Sequence, residues 1–473
     1  MATFTFTLTA TYIYINTGTG DMSELYADLF AAAGDLETYM TRTGADPYVY
    51  TVQGNRELRI QAAATLNHDN LGDELGWNLT VAKYPILSIY GVFNQGPGCI
   101  VTGDVNDTFY NYMYCYGVWN CAGTVANPCV IQQMRSVYAY DSDPGLLTWD
   151  YVDVKNPTIS SGYLIYLRSA LYGNQSWTLS LTNINFSDTG HWGYLYFDNG
   201  DYSQCTFEDW TVTDINRLLF YGVYSAKFTN VTITSNSVEN EFSGCSLERI
   251  IGHYPTTGDG KYRNDGFQPG IVFDNCTFDA NDSGTYTGGS LLQGSVVRYK
   301  DCTFSNASYG VVSQEGSVVI WEGTNTFTSI TTADRRWVTD GTHLHARRLS
   351  ITVNDHNGNP LLGAAVVVRQ NEGHERWAFF TDVLGQISTV FGDTPGVVVI
   401  EKNETSTGVY DQWSDGSDAD HMHSVITTYK DYTTADVRQI AFTEDKNITV
   451  QMTENEAGDT IIYDSTLYDT ELY

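Results

Sequence analysis

Two stretches with nearly the same wording, Asn275-Cys276-Thr277-Phe278 and Asp301-Cys302-Thr303-Phe304, indicate the fold of this chain. Related four-residue phrases occur at 183–186, 204–207, 230–233, 244–247 and 324–327, and 156–159 fits as a degenerate first copy. Their last residues lie 27, 21, 26, 14, 31, 26 and 23 positions apart, an average of 24. Self-similarity at such a period is typical of a solenoid, in which each repeat packs on its neighbours.

The phrase predicts a β-strand, because its residue types alternate. Successive side chains of a strand point to opposite faces, so the second and fourth residues share an apolar face and the hydroxyl residue between them points away. Asn, Asp and Gly around the phrase favour corners. We therefore predict an all-β chain built on a right-handed parallel β-helix. The predicted interior side chains are Phe186, Phe207, Phe278, Phe304 and Phe327, and the predicted outward ones are Thr206, Thr277 and Thr303.

One interval does not fit a regular coil. Only 14 positions separate the phrases that end at Ile233 and Leu247, too few to close a coil, whereas the 45 positions from Ile233 to Phe278 match two ordinary coils. We interpret Leu247 as part of a phrase displaced to a different strand of its coil.

Composition excludes several classes of protein. The chain has 473 residues, and 42% of them are hydrophobic, which excludes general disorder. Its 34 Tyr and 43 Gly against 10 Pro favour strands and turns. The net charge of −32 repels nucleic acid and anionic membranes, so neither is an expected partner. No apolar run approaches the 18 residues that a membrane helix needs.

The eight cysteines form two sets. Cys99, Cys115, Cys121 and Cys129 lack the CxxC spacing of zinc sites. The predicted interior ladder of buried free thiols consists of Cys205, Cys245, Cys276 and Cys302. The segment from Met1 to Thr9 alternates Phe and Thr as a strand does and lacks the features of a secretory signal, so we expect synthesis in the cytosol and reduced thiols.

The first 60 residues are predicted to cap the β-helix, which itself is expected over 61–345. Strands at 4–8 and 12–15 precede a helix capped by Asp21 and Glu24. The apolar stripe of this helix is predicted to contain Leu25, Leu29, Phe30 and Ala33. The segments 48–52 and 58–60 flank the turn Gln53-Gly54-Asn55 and predict a hairpin. The aromatic segment 84–125 fits either irregular coils or a protruding loop.

A different pattern begins near Leu349. A strand at 350–354 leads into Asp355-His356-Asn357-Gly358-Asn359-Pro360-Leu361-Leu362-Gly363-Ala364-Ala365-Val366, and Thr381-Asp382-Val383-Leu384-Gly385 follows. This stretch resembles the carboxypeptidase-regulatory-like domain, which implies an Ig-like β-sandwich over 346–455 serving as an attachment or spacer module. The segment 410–432 departs from a minimal module as an insert. An acidic tail with regularly spaced Tyr follows over 456–473, and it fits either a disordered end or a segment that docks on a neighbouring subunit.

Carboxylates near the phrases are the candidates for glycan cleavage, which many β-helix proteins perform with such groups. They are Glu208, Asp209, Asp274, Asp279 and Asp301. Turn-forming Asp at coil corners is the stronger interpretation, since such side chains bond the local backbone. We therefore predict no catalytic residue and lean towards a protein that is not an enzyme.

One acidic loop suits a hard cation. Its carboxylates are Asp411, Asp415, Asp418 and Asp420, and Ca²⁺ takes several such oxygens. The alternative is a solvated acidic loop without a metal. Two histidine pairs, His421 with His423 and His343 with His345, could supply further ligands or be polar strand residues. No other cofactor is predicted.

A solenoid, an appended sandwich and no export signal together resemble bacteriophage virion proteins of the tailspike, fibre and head-decoration type. The resemblance implies a structural exterior component of the virion that is assembled in the host cytoplasm. It also implies a homotrimer with other virion proteins as partners. The alternative is a tailspike polysaccharide depolymerase or a glycan-binding receptor protein acting on host glycan. A bacterial adhesin is disfavoured because no signal peptide is seen.

Overall fold

The computed structural model is all-β apart from one helix. It describes residues 3–34, 38–80, 85–104, 111–141, 146–155, 162–169, 177–187, 193–215, 217–235, 239–245, 270–337, 341–370, 376–387, 397–404, 410–412, 422–430, 432–442 and 444–454. Within these residues, 33 strands belong to one large, mostly parallel sheet, and four form a second, antiparallel sheet. The predicted all-β class is confirmed.

The elements follow one another with short connections in the described segments. The first are β1 (Thr5–Leu8), β2 (Tyr12–Asp21), α1 (Met22–Ala33), β3 (Met40–Thr43), β4 (Val49–Val52), β5 (Glu57–His68), β6 (Glu74–Trp77), β7 (Leu87–Ile89), β8 (Val92–Gln95) and β9 (Ile100–Asp104). Next come β10 (Tyr112–Cys115), β11 (Val118–Ala122), β12 (Cys129–Gln132), β13 (Ser136–Asp141), β14 (Leu146–Lys155), β15 (Gly162–Ser169), β16 (Ser180–Ser187), β17 (Gly193–Asp201), β18 (Thr206–Glu208) and β19 (Thr211–Ile215).

The chain continues in the same manner. The following strands are β20 (Arg217–Tyr224), β21 (Ala226–Thr229), β22 (Thr232–Ser235), β23 (Glu239–Ser243), β24 (Ile271–Asp274), β25 (Thr277–Leu292), β26 (Val296–Lys300), β27 (Thr303–Ser313), β28 (Val318–Glu322) and β29 (Thr326–Trp337). The last are β30 (Thr342–Asn354), β31 (Ala365–Gln370), β32 (Arg376–Phe380), β33 (Val397–Glu404), β34 (Tyr410–Gln412), β35 (His423–Thr428), β36 (Ala435–Ile440) and β37 (Lys446–Gln451).

The chain divides into two compact units. Among the described residues, the first unit contains everything up to Cys245 together with Gly270 to His343, and the second begins at Leu344. The predicted 1–60 segment therefore shares its unit with the strands that follow it.

Helix α1 begins and ends where its sequence predicts. The Asp21 side chain accepts a hydrogen bond from the Glu24 backbone N–H, the Glu24 side chain accepts one from the Asp21 N–H, and Gly34 ends the helix in the left-handed conformation. Met22, Leu25 and Leu29 are buried, whereas Phe30 is 56% exposed. The prediction that Phe30 lies on the buried stripe is wrong.

The predicted hairpin around Gly54 is not observed. Strand β4 pairs with β3 in antiparallel and with β6 in parallel, while β5 pairs in parallel with β2, β7 and β8. The segment 53–56 is a corner between two strands that find different partners. A turn-forming dipeptide cannot distinguish these outcomes, because both need a tight reversal of direction.

Nearly all remaining strands of the first unit belong to three ladders of parallel strands. Ladder A contains β2, β5, β7, β10, β13, β15, β17, β20, β23, β25, β27 and β29. Ladder B contains β2, β5, β8, β11, β14, β16, β18, β21, β24, β26 and β28. Ladder C contains β4, β6, β9, β12, β14, β16, β19, β22, β25, β27 and β29.

The aromatic segment 84–125 contributes regular strands to all three ladders. Strands β7 and β10 lie in ladder A, β8 and β11 in ladder B, and β9 in ladder C. Residues 105–110 are outside the described residues. Of the two interpretations of this segment, the described part supports coils.

Most of the described phrases lie in ladder C. The assignment of the phrase at 204–207 and the two-coil interpretation of the stretch from Ile233 to Phe278 were wrong. The phrase at 204–207 runs into β18 of ladder B, and its ladder C counterpart is Asp209-Trp210-Thr211-Val212. Strand β22 pairs directly with β25, and β21 with β24, so the stretch from Ile233 to Phe278 does not hold two coils. Residues 156–159 and Leu247 lie outside the described residues, and the register equates 151–154 with 183–186.

Like side chains stack inside the first unit. The predicted interior rings Phe186, Phe207, Phe278 and Phe304 are buried, and Phe327 is partly buried against them. Phe278, Phe304 and Phe327 stack with centroids 5.4 and 5.0 Å apart. A second stack joins Phe228, Phe273, Tyr299 and Trp321 at 5.3, 5.5 and 5.3 Å. The outward prediction also holds, since Thr206 is exposed and Thr277 and Thr303 are half-buried.

The second unit has its own core and an antiparallel sheet ordered β32-β31-β35-β36. Strands β30 and β37 pair in parallel from Leu349 to Asn354. Strand β35 lies in the segment that was predicted as an insert, yet it pairs with both β31 and β36. It is therefore an integral strand of the sheet.

Removing one ring from a stack should destabilise the first unit. We expect Phe304→Ala to lower the free energy of unfolding by about 3–5 kcal/mol, because a buried ring leaves a cavity between Phe278 and Phe327. The adjacent outward Thr303→Ala should cost about 1 kcal/mol or less. Chemical denaturation of both variants checks this, and equal losses would contradict the inward and outward assignment.

Candidate functional site

The candidate catalytic carboxylates Asp209 and Asp301 occupy corners of the strand stack. Both have positive φ angles, 58° and 52°, as do Asn183, Asn230 and Asn275 at equivalent corners. Asn and Asp adopt this conformation more readily than other residues with a side chain. Asp209 Oδ1 accepts a hydrogen bond from Asn230 Nδ2 at 3.0 Å, and Asp301 Oδ1 accepts one from the Thr324 N–H at 2.7 Å. Both carboxylates thus bond neighbouring corners.

The other carboxylate candidates lie on strands. Asp274 forms ion pairs with Lys300 at 3.0 Å and Lys227 at 3.5 Å, which link three successive strands of ladder B. Asp279 accepts hydrogen bonds from Asn306 Nδ2 at 3.0 and 3.1 Å. Glu208 is half-buried at the end of β18. The contacts of Asp274 and Asp279 tie adjacent coils together.

The predicted Ca²⁺ ligands fall almost wholly outside the described residues. Asp411 lies on β34, and Asp415, Asp418, Asp420 and His421 are outside them. The described residues contain no group of three or more His, Cys, Asp or Glu able to hold a metal ion.

The described histidines of the two predicted pairs are His343, His345 and His423. His343 is buried, stacks on Trp321 at 5.8 Å, and accepts a hydrogen bond from Trp321 Nε1 at its Nδ1. Its pair member His345 is half-buried. His423 is buried edge-to-face against Phe442 at 5.1 Å.

The cysteines are free thiols, as predicted, but the predicted ladder of four is wrong. Cys205 precedes β18 of ladder B, Cys245 follows β23 of ladder A, and only Cys276 and Cys302 precede neighbouring strands of ladder C. Cys245, Cys276 and Cys302 are buried and Cys205 is half-buried. Each thiol donates to a backbone carbonyl of a preceding strand or corner, for example Cys302 Sγ to Phe273 O at 3.4 Å. Burial raises the pKa of Cys205 and of Cys245 to about 12, so both stay protonated near neutral pH.

A run of tyrosines follows the outer face of ladder A. The strand register places Tyr114, Tyr138, Tyr166 and Tyr196 directly beside one another on four successive strands. Together with Tyr112 and Tyr221, which contact them, we name this set the tyrosine ladder. All six are half-buried, while the residues that alternate with them, such as Met113, Val137 and Phe197, are fully buried.

The rings of the tyrosine ladder contact one another, and three of the five pairs described below are edge-to-face. The centroids of Tyr114 and Tyr138 are 5.3 Å apart at 84°, those of Tyr138 and Tyr166 are 5.0 Å apart at 56°, and those of Tyr166 and Tyr196 are 4.4 Å apart at 88°. Tyr112 meets Tyr138 at 5.2 Å and Tyr221 meets Tyr196 at 5.4 Å. With strands about 4.8 Å apart, Tyr114 to Tyr196 spans roughly 14 Å.

The array extends towards the amino terminus through an arginine. Arg59 lies over the Tyr12 ring at 4.2 Å and over the Tyr14 ring at 5.5 Å. It is fixed by Glu57, which is 1% exposed and also accepts a hydrogen bond from Ser88 Oγ at 2.6 Å. The hydrogen bond to Glu57 raises the pKa of Arg59, so its charge is permanent.

The stacked pair of exposed Tyr90 and half-buried Tyr116 joins these parts, with centroids 4.7 Å apart and planes 5° apart. Tyr116 contacts Tyr114 at 6.0 Å. Burial raises the pKa of Tyr90, so its hydroxyl is neutral. The result is a stripe of ring edges and hydroxyls in which Arg59 and Arg135 pack on tyrosine rings, a surface type that suits a protein partner or a sugar.

Sequence reasoning identified the density of tyrosine but not this array. Tyr112, Tyr114 and Tyr116 alternate as outward strand residues do, and that local signal was available. The lateral alignment of Tyr138, Tyr166 and Tyr196 was not, because it depends on the register between strands that are 28 to 30 residues apart.

Comparison with protein-family models, curated proteins and solved structures found no match for this chain. No helix in the described part of the chain is long and apolar enough to cross a membrane. The fold and the tyrosine ladder therefore carry the functional argument.

Stability should fall in acid partly through His68. This side chain is 1% exposed, stacks on Phe93, and bonds Ile100 O through Nε2 at 3.1 Å. Burial lowers its pKa, while the bond to Ile100 O acts in the opposite direction. The unfolded chain, with a His pKa of about 6.5, then binds more protons, so the free energy of unfolding decreases as pH falls below about 6.5.

The measurement is denaturation at several pH values between 7.5 and 5. One titrating group can change the free energy of unfolding by at most roughly 1.4 kcal/mol per pH unit. His68→Gln keeps an amide donor near Ile100 O but has no titrating ring. We expect its free energy of unfolding to decrease less between pH 7.5 and 5 than that of the wild type. The same pH slope in both proteins would show that His68 does not contribute.

Proposed function

We propose that the chain is a right-handed parallel β-helix that serves as a structural exterior component of a bacteriophage virion, in a spike, fibre or head decoration. The observation that carries the proposal is the set of three parallel ladders. The chain visits A, B and C in constant order, and long strands such as β14 and β25 bend from one ladder into the next. Such winding suits a structural component, because each strand is held by the strands before and after it.

The amino-terminal helix and the corners support a structural role. Helix α1 buries Leu25 and Leu29 next to β1, β2 and β5, the first strands of the stack, where an uncovered edge would invite pairing with other chains. The Asp and Asn corners bond their neighbours along the stack, for example Asn275 Nδ2 to Asn230 Oδ1 at 2.8 Å. We infer that these carboxylates stabilise coils and do not cleave glycan.

For the second unit we propose a β-sandwich of the carboxypeptidase-regulatory-like type that mediates attachment. Its motif residues fix turns: Asp355 Oδ1 accepts the N–H groups of Asn357 and Asn359 at 2.8 Å, and Asp382 Oδ1 accepts those of Leu384 and Gln386 at 2.8 and 2.9 Å. Apolar side chains nearby are exposed, with Phe380 at 70%, Val383 at 71% and Leu384 at 60%. Exposure of this kind favours a docking role.

We further propose that the protein is a homotrimer in which the tyrosine ladder faces a neighbouring copy. Half-buried rings with neutral hydroxyls are typical of interface centres, and a side-by-side arrangement would cover them. A large negative charge disfavours association through most of the remaining surface, whereas the tyrosine ladder itself carries no charge.

The tyrosine ladder also favours a second candidate function, binding of host glycan as a receptor protein. Tyrosine rings pack against sugars as well as against protein. The glycan alternative requires the surface to be open in the assembled protein, and the trimer requires it to be covered.

The test of the main proposal is mass spectrometry of purified virions, where we expect the chain in stoichiometric amounts. Its absence from particles would contradict a virion role. Release of reducing ends from host polysaccharide by the purified protein, lost in Asp274→Asn or Asp301→Asn, would instead favour a depolymerase.

Self-association is tested by sedimentation. We expect a three-chain mass for the wild type and a one-chain mass for the double variant Tyr166→Ser, Tyr196→Ser at equal concentration, with unchanged far-ultraviolet circular dichroism. Tyr26→Ser removes a similar half-buried ring from α1 and should leave the trimer intact. A monomeric wild type would contradict the trimer, and a trimeric double variant would exclude the tyrosine ladder from its interface.

A further inference from the structure

Two arginines pack on the tyrosines of ladder A. Arg59 lies over Tyr12 and Tyr14, and Arg135 lies over the Tyr112 ring at 5.7 Å. Both arginines are half-buried and lie towards the amino-terminal end of the tyrosine array. They are a local exception in a chain with 24 Lys plus Arg against 56 Asp plus Glu. The surface around them therefore suits an acidic partner.

Arg59 keeps hydrogen-bonding capacity for such a partner. Its Nε and Nη2 groups donate to the Glu57 carboxylate at 2.6 and 3.1 Å, which fixes the plane of the guanidinium. No described residue accepts a hydrogen bond from Arg59 Nη1, and the side chain is 24% exposed. Because Glu57 balances the charge of Arg59, a partner is selected by a short charge-assisted hydrogen bond to Nη1 and not by long-range attraction. A carboxylate is the group that forms such a bond.

The tail of the chain has the composition that this surface requires. Residues 456–473 lie outside the described residues, and their sequence contains no Lys or Arg. Tyrosines recur in it every five residues, and two of them are followed directly by Asp. Tyrosine rings pack well against other rings, and carboxylates bond arginine. The acidic and aromatic residues of the tail are Glu456, Asp459, Tyr463, Asp464, Tyr468, Asp469, Glu471 and Tyr473.

The length of the tail also suits the array. From β2 to β20, ladder A advances over seven strand spacings, roughly 34 Å. A fully extended segment of the length of 463–473 spans roughly 33–36 Å. One extended segment can thus reach from the tyrosines under Arg59 to Tyr196 and Tyr221.

We propose that residues 456–473 of a neighbouring copy bind along the tyrosine ladder, with tail carboxylates on Arg59 and Arg135 and tail tyrosines against the rings of the ladder. This inference rests on the proposed trimer, because it names the segment of the neighbouring copy that covers the array.

The charges at the two ends of the array set the direction of the bound tail. Arg59 and Arg135 lie towards one end, whereas Asp198 on β17 and Glu241 on β23 lie towards the other. Glu241 accepts a hydrogen bond from the Tyr221 hydroxyl. The acid-rich end of the tail at 469–471 is therefore expected near the arginines, and the apolar residues before Tyr463 near Tyr196.

The experiment places a photo-crosslinking residue in the full-length protein as Tyr468→p-benzoylphenylalanine. This protein is mixed with isotopically labelled wild type, allowed to exchange subunits, irradiated, and digested for mass spectrometry. We expect crosslinks from position 468 to labelled peptides that contain Tyr112, Tyr114, Tyr138 or Tyr166. A crosslink to a labelled peptide shows contact between two copies.

The charge contacts are tested from the tail, because Arg59→Gln would leave Glu57 buried without its partner. The triple change Asp464→Asn, Asp469→Asn, Glu471→Gln in the crosslinking chain should lower the yield about fivefold. The matched change Glu456→Gln, Asp459→Asn removes charges outside 463–473 and should alter the yield less than about twofold.

The receiving surface is tested in the labelled chain. Arg135→Gln should lower the crosslink yield about threefold. Its control is Arg42→Gln, since Arg42 packs on Tyr26 and Tyr48 at 4.6 Å but lies on β3, outside ladder A. This control should leave the yield unchanged, and circular dichroism verifies that both variants fold.

Three results would overturn the inference. One is crosslinks confined to the unlabelled chain, another is crosslinks only to residues outside ladder A, and the third is an unchanged yield after the triple change in the tail. A three-chain mass in sedimentation together with any of these leaves the proposed trimer standing and removes only the tail. A one-chain mass for the wild type contradicts the trimer itself.

Discussion

Lateral pairing between parallel strands is the constraint on which the first unit depends. A strand of one coil satisfies its N–H and C=O groups only through the coils before and after it, so the register of each strand is set by its neighbours. Equivalent residues must then lie about 4.8 Å apart. Like residues consequently stack, as Phe278, Phe304 and Phe327 do inside and as Tyr138, Tyr166 and Tyr196 do outside.

This constraint explains which parts of the fold were predictable. The alternation of apolar and hydroxyl residues within Asn275-Cys276-Thr277-Phe278 predicts which side chains point inward and which point outward, and that prediction was correct. Alternation does not say which ladder a strand joins, so Gln204-Cys205-Thr206-Phe207 was aligned with strands of a different ladder. The more specific signal was the residue before the strand. Asn183, Asp209, Asn230, Asn275 and Asp301 all occupy left-handed corners, and spacing counted from them would have identified Asp209-Trp210-Thr211-Val212.

The site was less predictable than the fold because it arises between coils. The tyrosine ladder needs the register of five coils, and insertions of unequal length hide that register in the sequence. The contacts of Cys121 and Cys129 with the same residue, Gln95, need the position of a corner and the inward direction of two side chains in different ladders. The absence of a CxxC motif carried no information on which residues these cysteines approach. Spacing rules describe ligands on one local segment, whereas a coil brings together residues from separate strands.

Rings on neighbouring strands contact one another both inside the first unit and on its outer surface, but the two sets of contacts have different consequences. Interior rings stack face to face along each ladder and meet the next ladder edge-to-face, as Phe273 meets Phe278 at 5.1 Å, so the core locks three ladders together. Outer rings meet neighbours on their own ladder, Arg135 also packs on Tyr112, and each ring of the tyrosine ladder keeps a partly exposed side. Because that remaining side is what a partner could cover, the array is stabilising for the isolated chain and available for association at the same time.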